Sequence, residues 1–121
     1  MTVRELIDKG LFQTVNEGGD LDRQITKPFC CDLLSIAMSR ASEGCAWVTV
    51  MGNINTLAVA ALTDTACVIL AEGAALDQAA AGKAREQEIT VLSTEQPIFE
   101  AALAVYSLLV PPVVKTSIYS A

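Results

Sequence analysis

No histidine occurs anywhere in the chain, so the commonest general base and the commonest zinc ligand are both missing. Aromatic residues make up 5% and charged residues 18%, which leaves the core to Ala, Val, Leu and Ile. Basic charge is scarce too. The 8 Lys and Arg stand against 14 Asp and Glu, and Arg4, Lys9, Arg23, Lys27, Arg40, Lys83, Arg85 and Lys115 are spread along the chain instead of clustered. A net charge of −6 without a basic patch repels a phosphate backbone, so nucleic acid is not an expected partner. The apolar runs at 56–63 and 101–114 carry polar interruptions or prolines and fall short of the roughly 20 residues that span a bilayer. Met1-Thr2-Val3-Arg4-Glu5 places an acid where a secretion signal needs an apolar stretch. No membrane contact is expected, and the expected location is cytoplasmic.

Enzyme signatures are missing as well. No Gly-x-Gly-x-x-Gly or Gly-x-Ser-x-Gly occurs. Gly82-Lys83 has Asp77 where a phosphate-binding loop needs its first glycine, and no serine or threonine follows the lysine. A stand-alone enzyme is therefore not expected, and no catalytic residue is assigned. The four cysteines, Cys30, Cys31, Cys45 and Cys67, lack Cys-x-x-Cys spacing. Small buried hydrophobes account for them, and no metal ligand is assigned. A redox or iron–sulfur accessory role for Cys30, Cys31 and Cys45 stays open as an alternative.

Of the whole chain 52% is hydrophobic. That fraction implies strands buried on both faces, an oligomer interface, or both. At 121 residues the chain holds one domain, residues 1–121, with 109–121 as an extension. Short β-like apolar runs alternate with helical ones, the pattern of an α/β domain. Helices are expected at 2–9 with a Thr2/Glu5 capping box and a Gly10 stop, at 32–41 capped by Asp32 with Leu33, Ile36 and Ala37 inward, and at 55–62 capped by Asn55. Two more follow: 76–88, and a long helix capped by Ser93 or Thr94 with Pro97 in its first turn and Phe99, Leu103, Tyr106 and Leu109 inward. Strands are expected at 11–15, within 23–31 despite Pro28, and at 45–51, 66–71 and 89–92. The tail at 113–119 has the pattern of an edge strand. The sheet is expected to be mostly parallel, with about five strands, right-handed crossovers and both faces covered.

Three polar segments interrupt the apolar chain: Leu21-Asp22-Arg23-Gln24-Ile25-Thr26, Cys31-Asp32-Leu33-Leu34-Ser35, and Thr49-Val50-Met51-Gly52-Asn53-Ile54-Asn55. A strand that ends in glycine and feeds a helix leaves backbone amides open to an anion. Asp22, Arg23, Thr26, Thr49, Gly52, Asn53 and Asn55 are accordingly the candidate residues for a small anionic ligand or nucleotide, gathered at one rim. Each has a structural reading beside the functional one: helix capping for the 52–55 turn, and loop anchoring for Asp22 and Arg23. Asp32 and Ser35 have the spacing of a helix cap. Glu72 follows a central strand but has no partner acid.

The chain resembles the DRTGG domain family from about Thr2 to Leu109. Matching residues are Gly18, Gly19, Leu21, Asp22, Arg23, Thr26, Asp32, Leu33, Leu34, Ser35, Thr49, Asn55, Ala58, Ala60, Thr94, Phe99 and Glu100. It departs at Lys27-Pro28, where many members carry glycine after the threonine, and at Asn53, where many carry histidine. The resemblance implies a three-layer α/β/α fold like the N-terminal domains of HPr kinase and Mur ligases, and a non-catalytic regulatory or assembly role beside a larger metabolic enzyme. Stand-alone members of this type are found near iron-hydrogenase genes in anaerobes, which implies a hydrogenase as partner enzyme. A homodimer is expected from the high aliphatic content of so small a chain. No cofactor is assigned.

Overall fold

The computed structural model describes residues 1–110: α1 (Val3–Asp8), β1 (Gln13–Asn16), β2 (Pro28–Cys30), α2 (Leu34–Arg40), β3 (Ala46–Thr49), α3 (Ile54–Thr63), β4 (Cys67–Leu70), α4 (Gln78–Glu86), β5 (Val91–Ser93) and α5 (Ile98–Leu109). The expected strand at 113–119 lies outside the described residues. β4, apolar at every position, and β3, apolar up to Thr49, lie inside the sheet and are buried throughout. They belong to one five-stranded sheet of order β1-β5-β4-β3-β2. β2, β3, β4 and β5 run parallel, while β1 pairs with β5 antiparallel, Gln13 opposite Ser93. Pro28, which has no amide to donate, sits on edge strand β2.

Alternation along the strands separates two cores. Ala46, Val48, Cys67, Ile69 and Leu92 face Val3 and Leu6 of α1 and Ala101 and Val105 of α5. Trp47, Val68, Leu70 and Val91 face Ala37 of α2, Leu57 and Ala60 of α3, and Ala80 and Ala84 of α4. The fold is therefore a three-layer α/β/α sandwich. Among the described residues no helix is long and apolar enough to cross a membrane.

Several helix starts differ from the sequence expectation. The Thr2/Glu5 capping box forms as expected, but Asn53 rather than Asn55 caps α3, because the chain turns helical at Ile54 and Asn53 Oδ1 accepts the Thr56 amide. Asp77 caps α4 through the Ala80 amide, so that helix starts later than its alanines suggest. Pro97, not Ser93 or Thr94, is the N-cap of α5 and contributes no side-chain bond. The inward face of α5 is also small: Ala101 and Val105 are buried, while Phe99 is 69% exposed and Leu103 also faces outward. Helix α2 likewise buries Ala37 and leaves Leu33 and Ile36 exposed. In both helices small residues sit deepest against the sheet, while Ile98 and Leu109 of α5 and Leu34 of α2 pack partly buried near the helix ends.

Candidate functional site

Parallel strands bring their following loops to one edge, where ligands of such sheets bind. At this carboxyl edge stand Asp32 after β2, residues 50–53 after β3, 71–77 after β4 and 94–97 after β5. The register of β2 and β3 sets Cys30 opposite Val48, so two residues further on Asp32 comes level with Val50. Its Oδ1 accepts the Thr49 hydroxyl at 2.8 Å and the Val50 amide at 2.9 Å. Thr49 Oγ1 in turn accepts the Met51 amide at 3.2 Å. Asp32 is therefore a clasp between two strand ends and not the cap of α2, whose N-cap Leu33 makes no side-chain bond. Thr49 is fully buried, and its hydroxyl is committed on both sides.

The next turn is held by close packing. A Cβ on Gly52 would collide with the carbonyl of Ala75, and the Gly52 carbonyl accepts the Asp77 amide at 3.0 Å. Beyond it the amides of Gly52, Asn53, Ile54 and Asn55 have no partner among the described residues, and the Asn55 side chain is exposed.

The other sequence candidates lie at the opposite edge. Thr26 donates its amide to Gly44 and its hydroxyl to Glu43, both ahead of β3. Arg23 forms a bidentate pair with Asp64 at 2.7 and 2.9 Å and also donates to the Asp64 carbonyl, closing the C-terminal end of α3 ahead of β4. This contact raises the pKa of Arg23 and holds the Asp64 carboxyl below its usual value, the hydrogen bond being the larger cause in each. Asp22 pairs instead with Arg4 at 3.1 Å. The expectation of a single rim does not hold: β3 stands between the two groups, and its length of four residues separates them by about 10 Å or more. The reason is topological, since residues 22–26 lead into β2 while 50–55 lead out of β3.

Sequence reasoning also missed a concavity at this carboxyl edge. A groove of about 510 Å³ lies over β5 and its neighbours, lined by Leu11, Gln13, residues 73–75 and residues 93–96. The available signal was the polar run Ser93-Thr94-Glu95-Gln96 directly after a core strand.

The cysteines do not converge. Cys45 and Cys67 are buried, Cys30 is exposed, and Cys31 is intermediate. Burial raises the Cys45 thiol and pushes that of Cys67 up to about 12. Among the described residues no three His, Cys, Asp or Glu side chains come together as a metal site.

Of known structures, the chain is similar to the CBS and DRTGG domains of the regulatory region of Clostridium perfringens pyrophosphatase, complexed with the activator diadenosine tetraphosphate, with a TM-score of 0.68 and 15% identity. The likeness shows a shared fold. It covers 87% of this chain and 45% of that one, so this chain spans less than half the length of its neighbour. It supports the DRTGG-like architecture indicated by residues such as Asp22, Asp32 and Thr49. No protein-family model matches the chain, and no curated protein matches it by sequence.

Proposed function

We propose that this chain is a non-catalytic regulatory module, one domain over residues 1–121 with an extension from 109, that senses a small anionic ligand or nucleotide. The carrying observation is the fold shared with a regulatory region that binds a nucleotide activator. The open amides of Gly52, Asn53, Ile54 and Asn55 supply a place for an anionic group at the carboxyl edge. Asn53 and Asn55 flank that place, whereas Thr49 shapes it from below through Asp32. Asp22, Arg23 and Thr26 anchor the segment that enters β2. The flanking carboxylates Asp32 and Asp77 favour a ligand of low net charge.

The outward Phe99 and Leu103 of α5 support association as a homodimer or with a larger enzyme. The resemblance of the sequence names a hydrogenase as that enzyme. The protein is cytoplasmic in this reading. Thermal unfolding with a panel of nucleotides and inorganic phosphate tests the ligand, because saturation at 100 times Kd stabilises by about 2.7 kcal/mol. A panel without any shift overturns ligand sensing. Light scattering tests association, and a monomer at all concentrations overturns the homodimer.

A further inference from the structure

We infer that the groove between residues 73–75 and 93–96 is a binding site for a small cationic amine, with Glu95 as its counter-ion. The groove adjoins the turn after β3, since Ala75 lines it and packs on Gly52, but none of residues 52–55 lines it, and the inference goes beyond the regulatory reading without needing it.

The groove's volume of about 510 Å³ lies within the range of small-molecule sites. Its one charged lining side chain is Glu95, and no lysine or arginine lines it. Glu95 has no hydrogen-bond or ion-pair partner among the described residues. Its carboxylate rests against the backbone of Gly73, where an added Cβ would stand 2.6 Å from Oε2. A ligand seated here covers that carboxylate. Covering it without a partner is costly, and an anion adds repulsion at short range. A ligand that brings an ammonium or guanidinium meets neither penalty. Gln13, Ser93 and Gln96 are also lining residues, of types that can accept its remaining hydrogens.

The walls are joined in advance. Glu72 donates its amide to the Gln96 carbonyl at 2.8 Å, and Gly73 donates to the Thr94 carbonyl at 3.0 Å. Both donors have left-handed backbone, φ 59° and 74°, a conformation unfavourable for glutamate and held here by those two bonds. The groove thus exists before a ligand arrives, which lowers the ordering cost of binding.

Amide NMR of the full-length chain titrated with agmatine, with inorganic phosphate as the opposite-charge probe, tests the site. Agmatine is expected to shift the amides of Gly73, Glu95 and Gln96 saturably, and Glu95→Gln to weaken that binding about tenfold or more while the unfolding midpoint stays unchanged. No saturable shift at these amides overturns the inference, as does undiminished binding to the Glu95→Gln protein or an equal response to phosphate. Failure here leaves the nucleotide panel to decide the regulatory reading by itself.

Discussion

Asp32 and Thr49, 17 residues apart in the chain, share a 2.8 Å hydrogen bond that ties the exit of edge strand β2 to the exit of central strand β3. The same carboxylate takes the first amide beyond β3, so the protein fills the start of its own anion-accepting turn with an internal acid. An external anion is left with the amides further along.

Removal of the Thr49 hydroxyl tests this clasp. Thr49→Val keeps the shape but strands the Met51 amide and takes a donor from Asp32. The expected loss is about 1–2 kcal/mol in urea unfolding. Asp32→Asn retains an acceptor oxygen and should cost less than Asp32→Ala.

Gly52 and Gly10 separate two reasons for glycine. A Cβ at Gly52 meets the Ala75 carbonyl, whereas at Gly10, with φ 71°, it meets nothing within 4 Å. Gly10→Ala should cost about 1 kcal/mol from backbone strain alone. Gly52→Ala should cost about 2 kcal/mol or more by overpacking and should shift the amide resonances of residues 74–77, as read by unfolding and NMR.

Arg23→Ala should destabilise by about 1 kcal/mol, a modest figure because the Asp64 side chain is 59% exposed. The pH dependence has a definite sign. Asp64 titrates lower in the folded protein than in the unfolded chain, so its stabilisation is present above the unfolded aspartate pKa of about 4 and is lost as pH falls through the folded value. Asp64→Asn should flatten that part of the acid unfolding profile.

Thiol labelling should follow burial. Cys30 is expected to react first with a disulfide reagent, although desolvation and, to a smaller extent, Asp32 raise its pKa. Cys45 and Cys67 should react only on unfolding. Mass spectrometry of timed labelling reads the order, and early modification of Cys67 would contradict the packing.

The layer architecture was legible in the sequence because short, bounded apolar runs such as Cys67-Val68-Ile69-Leu70 have the pattern of central strands buried on both faces. Helix faces were less legible. At α5 the large residues Phe99 and Leu103 suggested the inward face, yet Ala101 and Val105 occupy it, since close approach to the sheet selects small side chains that a hydrophobicity reading undervalues. Site assembly was least legible: Arg23 and Asn53 look alike as polar interruptions, and only the direction of the strands places them at opposite edges. The partner of Asp32 depended on register, which spacing along one segment does not encode.

The place of β1 beside β5 bears on how the chain comes together. Gln13 cannot meet Ser93 until β2, β3, β4 and the helices between them have been made, and each long loop closed along the way carries an entropic barrier. During synthesis β1 must wait as an unpaired ribbon, vulnerable to strands of other nascent chains, until β5 is in place.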